Sequence, residues 1–70
     1  MNNQKNISYL RDNEVGFRTK LSKSTRWRLE RDNKFPKRRQ LSTRTVGWLA
    51  SEVEEWIQSR QLVSGGADNV

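Results

Sequence analysis

The sequence predicts a mainly α fold with a small β-hairpin wing, the arrangement called a winged helix-turn-helix. Two observations support this prediction. The chain has 70 residues, which is the length of one small domain. Its patterns run in the order helix, tight turn, basic helix, alternating hairpin and a last helix with an acidic start. We place the domain at residues 8–61, between a disordered tail at residues 1–7 and a flexible tail at residues 62–70.

The first elements are predicted to be a short strand and a helix. We expect the strand at Ser8–Arg11, followed by a helix from Asp12, its N-cap, to about Lys20. Gly16 lies inside this helix and weakens it by roughly 1 kcal/mol relative to alanine. Leu21 and Ser22 then form a turn into the next helix.

The second helix is predicted from Lys23 to Asp32, with Ser22 as its N-cap and Asn33 in the left-handed conformation at its end. Leu29 is its one strong apolar anchor, so the face of Leu29 must point to the core. The opposite face then points outward, and it carries Lys23, Ser24, Trp27, Arg28 and Arg31.

Trp27 has two interpretations. Small cores often recruit tryptophan, which would make Trp27 a core residue. Its position opposite Leu29 instead favours exposure, where the ring could stack on a sugar or touch a thymine methyl group. The sequence leaves both interpretations open.

A β-hairpin is predicted after Phe35-Pro36, which ends the second helix. Its arms are Lys37–Leu41 and Val46–Leu49, and a loop at Ser42–Thr45 joins them. This register pairs Leu41 with Val46 and Arg39 with Trp48.

The alternation of side chains along the arms predicts which residues face the core. We expect Phe35, Leu41, Val46 and Trp48 there, with the guanidinium of Arg39 lying over the Trp48 ring. Arg38 and Gln40 are expected to point outward, and Arg44 is expected at the tip of the loop; with Lys37, the two arginines are the candidates for DNA contacts from the wing.

The last helix is predicted by a capping box, Ser51-Glu52-Val53-Glu54, and by an apolar stripe of Val53, Trp56 and Ile57. We expect Trp48 and Trp56 to be core residues. Three carboxylates in the first turns complement the positive end of the helix dipole. No base, nucleophile or further ligand accompanies them, so we do not expect a metal or acid–base site at Glu52, Glu54 and Glu55.

Composition limits the classes of function. The chain has neither cysteine nor histidine, which excludes disulfides, zinc–thiolate sites and a histidine general base. We therefore predict that the protein is not an enzyme and uses no cofactor, metal or small-molecule substrate. No apolar run is long enough to cross a bilayer, which favours a cytoplasmic protein without a membrane partner.

The positive charge is concentrated in the middle of the chain. Residues 18–45 contain eleven Lys and Arg but two acids, a net charge of +9, whereas the whole chain carries +6. Such clustering on contiguous elements is typical of a nucleic-acid-binding surface, although a basic face can also be merely solvated. In this interpretation the second helix enters the major groove and the wing follows the backbone or minor groove.

Five blocks of this sequence, in their order and spacing, resemble the AlpA family of prophage regulators. The blocks are Tyr9-Leu10-Arg11, Leu21-Ser22-Lys23-Ser24-Thr25, Phe35-Pro36-Lys37, Val46-Gly47-Trp48 and Ser51–Ile57. The resemblance implies a MerR-like winged helix and sequence-specific binding of double-stranded DNA. It also implies a role in phages, prophages or related mobile elements, with transcriptional activation or an excisionase-like role in recombination as typical outputs.

The resemblance also suggests the residues that bind DNA. Lys23, Ser24, Thr25, Trp27 and Arg28 match the recognition-helix motif, and Arg44 matches the basic residue at the wing tip. With the cations that surround them, the predicted DNA-binding set is Lys23, Ser24, Thr25, Trp27, Arg28, Arg31, Lys37, Arg38, Arg39 and Arg44.

The chain departs from the family pattern at three positions. The family tends to have glycine where this chain has Lys20, and aliphatic residues where it has Arg26 and Glu30. Because Arg26 and Glu30 are four residues apart on one helix, we expect them to form a weak surface salt bridge with each other.

We predict a sequence-specific DNA-binding regulator of a mobile element, with possible self-association on DNA. Three alternatives stay open: an excisionase-like factor that bends DNA, a protein-interaction module such as an antirepressor, and an RNA-binding protein. Phosphate contacts alone do not separate DNA from RNA.

Overall fold

The computed structural model describes residues 7–63 and contains three helices and a three-stranded sheet. This composition confirms the predicted mainly α fold with a small hairpin. The predicted tails lie almost entirely outside the described residues; Ile7, Leu62 and Val63 are described, exposed and outside any helix or strand. The elements are β1 (Tyr9–Leu10), α1 (Asp12–Thr19), α2 (Lys23–Arg31), β2 (Arg39–Ser42), β3 (Thr45–Leu49) and α3 (Ala50–Gln58).

The sheet is antiparallel and has β3 at its centre, in the order β1-β3-β2. Leu10 of β1 pairs with Trp48, and the amide of Ala50 donates a hydrogen bond to the carbonyl of Ser8 at 2.9 Å. The short N-terminal strand thereby joins the hairpin and the start of α3 to the body of the domain.

The predicted hairpin register is wrong by one residue. Arg39 pairs with Gly47 and Gln40 with Val46, and the turn between the strands is two residues long. An irregularity between Gln40 and Ser42 absorbs the extra residue, as a β-bulge does. Leu41 consequently is exposed rather than in the core, with its side chain against Gly47, where a Cβ atom would lie 2.8 Å from Leu41 Cδ1.

The core is small and lies between the sheet and the helices. Trp48 is 3% exposed, which confirms its predicted place. Trp56 is half-buried; its ring meets Phe35 edge to face at 4.8 Å and its indole N–H donates to the carbonyl of Lys34 at 2.7 Å. The buried apolar residues are Leu10, Val15, Phe35, Trp48 and Val53, and Leu29, Ala50, Trp56 and Ile57 pack around them.

Two predicted helix starts are wrong. The N-cap of α1 is Arg11, whose amide donates to Glu14 Oε1 at 2.8 Å, and not Asp12. Helix α3 begins at Ala50, so Ser51 is already inside the helix and does not cap it. The reason is the strand that precedes α3: β3 runs directly into the helix, and the Ser8 carbonyl accepts the hydrogen bond of the first helical amide.

The turn between α1 and α2 has the predicted cap and one unpredicted feature. Ser22 Oγ accepts a hydrogen bond from the amide of Thr25 at 3.2 Å, which confirms Ser22 as the N-cap of α2. Asn33 adopts φ 61°, as expected after this helix. Lys20 also lies in the left-handed region, at φ 63°, where its amide donates to the Gly16 carbonyl and ends α1. This conformation explains why glycine suits that position.

Replacing Lys20 with glycine should stabilise the domain. A side chain in the left-handed region costs roughly 1–2 kcal/mol. Glycine avoids this strain, but part of the gain is offset because glycine increases the conformational entropy of the unfolded chain. The contact of Lys20 Nζ with the Phe17 ring, at 4.2 Å, would also be lost. Lys20→Ala is the matched control because it loses that contact and keeps the strained backbone. Thermal melts should show Lys20→Gly more stable than Lys20→Ala by about 1 kcal/mol, or about 4–8 °C in Tm; equal melts would contradict the assignment of strain.

Candidate nucleic-acid interface

The outward face of α2 has the residues that the helical periodicity predicts. Trp27 is 53% exposed, so its interpretation as a core residue is wrong. The guanidinium of Arg31, one turn further along, lies 5.6 Å from the centre of the Trp27 ring. The other exposed residues of this face are Lys23, Ser24 and Arg28.

A shallow, mainly apolar depression lies at the start of α2. Its walls are Ser22, Lys23, Ser24 and Trp27, and carbon atoms rather than polar atoms form most of its surface. The hydroxyls of Ser22 and Ser24 lie 3.4 Å apart, which turns them toward each other. The surface is therefore an indole ring with aliphatic surroundings and cations at its edge.

Thr25 belongs to the predicted binding set, but the structure places it in the cap of the helix. It is half-buried, and its hydroxyl accepts a hydrogen bond from Ser22 Oγ at 3.0 Å. Its side chain helps to hold the turn between α1 and α2, while its neighbours Ser24 and Trp27 are exposed.

The wing brings further cations next to α2. Lys37, Arg38, Glu30, Arg31 and Trp27 line one small depression between the helix and the start of the hairpin. Arg44 is exposed at the tip of the hairpin turn. The face of α2 and the beginning of the wing thus form one continuous surface.

Arg38 is exposed, as predicted, but its side chain is bound to Glu30. Its Nε and its backbone amide donate to Glu30 Oε2 at 3.0 and 3.1 Å, and its Nη2 donates to Oε1 at 3.2 Å. Its guanidinium lies 5.4 Å from the centre of the Trp48 ring, in the place expected for Arg39. Arg39 instead donates to Glu52 Oε2 at 2.7 Å, because the shifted register carries it away from Trp48.

Glu30 is 8% exposed and remains ionised through its partners. Burial opposes its charge, but the hydrogen bonds from the Arg38 side chain and backbone outweigh burial and hold the pKa of Glu30 below its ordinary value. The buried indole N–H of Trp48 makes no hydrogen bond of ordinary geometry within residues 7–63. Its partial positive charge nevertheless acts on the carboxylate in the same direction and lowers the pKa of Glu30 further.

Arg26 is the second buried charge of α2, at 5% exposure. Its Nη1 donates to Asp12 Oδ1 at 2.9 Å and its Nε to the carbonyl of Leu21 at 3.2 Å. The hydrogen bond from Arg26 lowers the pKa of Asp12, against a smaller opposing effect of burial. The predicted surface salt bridge between Arg26 and Glu30 is therefore wrong: both are buried, and each binds a partner outside α2.

Gly16 gives the Arg26 side chain its space. A Cβ atom at position 16 would lie 3.2 Å from Arg26 Nη2, closer than an ordinary contact. The glycine that weakens α1 as an isolated helix thus allows α1 to approach the guanidinium of α2.

Ion pairs engage some of the cations of the predicted binding set and, in the described part of the chain, leave others without a carboxylate partner. Within residues 7–63 they link Arg18 to Glu54, Arg26 to Asp12, Arg31 to Asp32, Arg38 to Glu30 and Arg39 to Glu52. Four exposed cations of the predicted set take part in no ion pair within the same residues: Lys23, Arg28, Lys37 and Arg44.

Other kinds of site find no support in the described part of the chain. Residues 7–63 contain no group of three or more acidic, histidine or cysteine side chains arranged to hold a metal ion. Among the same residues no helix is both long enough and apolar enough to cross a membrane.

Sequence reasoning missed the two buried ion pairs and the left-handed Lys20. One signal for the pairs was available: Glu30 is one of two acids in a segment of eleven cations, and it shares the inward side of the helix with Leu29. A lone carboxylate on that side needs a cationic partner when it is buried.

Fold and site together define a small winged-helix domain with an exposed cationic and aromatic helix. A family model described as prophage CP4-57 regulatory protein (AlpA) matches residues 8–61. The chain therefore belongs to this family of prophage regulatory proteins. The MerR-like detail of the fold stays a prediction.

The chain is also similar in part to a curated protein of Escherichia coli. The chain is 45% identical over 29 residues to a DNA-binding transcriptional activator, AlpA, of Escherichia coli strain K12. The match covers 41% of this chain and 41% of that relative, so the chain matches well under half of the relative's length. No solved structure matches significantly.

The two arginines at the start of the wing should differ sharply in their contribution to stability. Arg38→Ala would leave Glu30 buried with one backbone hydrogen bond, at a cost of about 2–4 kcal/mol. Arg39→Ala removes an ion pair between two well-exposed side chains and should cost below about 1 kcal/mol. Urea unfolding of both variants measures the difference. Equal losses of stability would show that the Glu30 pair does not hold the helix to the wing.

Stability should fall at acid pH because Glu30 and Asp12 bind protons more weakly when the chain is folded. Their contribution is complete above the ordinary carboxyl pKa, about 4. It is lost as the pH falls through the lower pKa values of the folded state. Glu30→Gln should lower Tm at neutral pH and flatten its decline below about pH 5.

Glu55→Gln is the control for this pH dependence, since Glu55 is exposed and forms no ion pair within residues 7–63. It should keep the decline of the parent protein. A decline of Tm in Glu30→Gln as steep as in the parent would exclude Glu30 as its source.

Proposed function

We propose that this protein is a sequence-specific, double-stranded DNA-binding transcriptional regulator of a phage, prophage or related mobile element. Helix α2 enters the major groove, and the hairpin β2–β3 lies along the backbone or minor groove. Two observations carry the proposal: α2 and the beginning of the wing form one surface, and four exposed cations of α2 and the wing have no ion-pair partner within residues 7–63. These cations are Lys23, Arg28, Lys37 and Arg44.

The charges of this surface fit DNA better than an acidic protein. A major groove is about 12 Å wide and accepts one helix, and the phosphates flank it on both sides. Exposed cations lie along the α2 face and at the hairpin tip, and an exposed aromatic ring, Trp27, lies among those of α2. The printed name of the E. coli relative, a DNA-binding transcriptional activator, supports the same interpretation.

The proposed contacts divide into three groups. Lys23, Ser24, Trp27 and Arg28 face the base edges, because the first turns of a recognition helix lie deepest in the groove. Arg31, Lys37 and Arg44 bind phosphates. Thr25, Arg38 and Arg39 chiefly position α2 and the wing, and Arg38 Nη1 still has hydrogens to donate to a phosphate.

A single domain of this size reads few base pairs, so we propose that copies bind neighbouring sites. We also propose a cytoplasmic location, because the DNA of a phage or prophage is in the cytoplasm of its bacterial host. Footprinting on that DNA separates the possible outputs. Protection of a promoter supports a transcriptional regulator, protection of an attachment site supports an excisionase-like factor, and no protection would overturn DNA binding in favour of a protein-interaction module.

Arg28→Ala should weaken binding to the preferred site more than to random duplex DNA, by about 1–3 kcal/mol if Arg28 reads a base. Arg18→Ala is the matched control: it removes the same charge from an exposed arginine that is paired with Glu54 of α3. Titrations with a labelled duplex measure both.

Arg44→Ala tests the wing in the same titrations. Loss of a phosphate contact should weaken binding to preferred and random DNA equally and reduce the slope of log K against log salt by about 1.

The comparison of Arg28→Ala with its control tests the choice of helix. If Arg18→Ala weakens binding to the preferred site as much as Arg28→Ala does, the choice of α2 as the reading helix is wrong.

A further inference from the structure

We infer that Trp27 reads a thymine, by placing its indole ring against the C5-methyl group in the major groove. The inference rests on the proposed function and names the base that this part of the surface recognises. It concerns the depression formed by Ser22, Lys23, Ser24 and Trp27.

The location of Trp27 is the first argument. It lies on the second turn of α2, on the face that carries Lys23 and Arg28, and more than half of its surface is exposed. Trp27 is more than an isolated exposed aromatic residue, because its ring lines an apolar depression and lies beside the Arg31 guanidinium. The cations around it favour a polyanion as the partner.

The chemistry of the depression is the second argument. Its surface is almost entirely apolar, since the hydroxyls of Ser22 and Ser24 are turned toward each other and toward Thr25. Base edges in the major groove present hydrogen-bond donors and acceptors and one apolar group, the methyl of thymine. An apolar surface in that groove can bury the methyl group of a thymine, whereas against any other base it would leave a polar edge without a hydrogen bond.

The fixed position of the ring is the third argument. Arg31 stacks over it from the next turn, and Arg31 Nε is itself held by Asp32 Oδ1 at 3.4 Å. Lys37 and Arg38 line one small depression together with this ring and Arg31. A ring bordered by these side chains has little freedom to turn, and a ring in one orientation presents the same surface to each base pair, as discrimination by shape requires.

Thymine and deoxyuridine duplexes test the inference directly, since they differ by this methyl group. Preferred sites are first enriched from a random duplex pool by the parent protein. Each thymine of the enriched site is then replaced singly by deoxyuridine, and affinity is measured by titration. We expect one or two positions at which the parent protein loses about four-fold in affinity, the value of one buried methyl group.

Trp27→Ala should bind the thymine and deoxyuridine duplexes equally at those positions. Phe17→Ala is the matched control, because Phe17 is an aromatic residue of α1 with 73% exposure, and it should retain the parent's discrimination. Arg28→Ala should lower affinity for both duplexes and also retain the discrimination. Thermal melts of Trp27→Ala should match the parent, since the ring is not part of the core.

The outcomes separate the inference from the function on which it rests. If a site is enriched but every deoxyuridine duplex binds like its thymine counterpart, the inference is overturned and DNA binding stands. Discrimination that survives in Trp27→Ala also overturns it. If the random pool yields no bound sequence, the proposed function fails and the inference with it.

Discussion

The position of α2 depends on the ion pair between Glu30 and Arg38. The helix has little apolar surface to bury, since Leu29 is its one inward aliphatic residue and Trp27 faces outward. The Glu30 carboxylate joins α2 to Arg38, the residue directly before β2, by three hydrogen bonds. The relative orientation of α2 and the wing is therefore set by directional polar contacts rather than by shape-filling side chains.

This solution exchanges stability for orientation. Burying a charge is expensive, and well-packed apolar residues of similar size often stabilise a fold more than a buried ion pair does. An apolar contact, however, tolerates sliding and rotation, whereas two oxygen atoms that accept from three nitrogen atoms define both distance and angle. Arg26 repeats the principle one turn earlier on the same face of α2, where it binds Asp12 and the Leu21 carbonyl of the turn. A domain with so few core residues gains a defined binding surface in this way.

Local patterns predicted the elements, and long-range contacts decided the details. The Ser22 cap, the inward face of Leu29 and the exposure of Trp27's face follow from spacing within one helix. The hairpin register was not predictable from its own arms, because Trp48 pairs with Leu10, far away in the chain. The predicted pair between Arg26 and Glu30 is wrong for the same reason. Spacing along one helix shows that the two side chains can meet, but each binds a partner from another part of the chain instead.

Because Gly16 packs against Arg26, the residue that fits at one of these positions depends on the residue at the other. A larger residue at position 16 would press on the guanidinium, and a shorter residue at position 26 would leave a void beside the glycine. Among relatives with an aliphatic side chain at position 26, alanine becomes the better residue at position 16, because it favours the helix and fills the space. The two positions should thus covary across the family, and a sequence survey would recognise the buried arginine by the glycine ten residues before it.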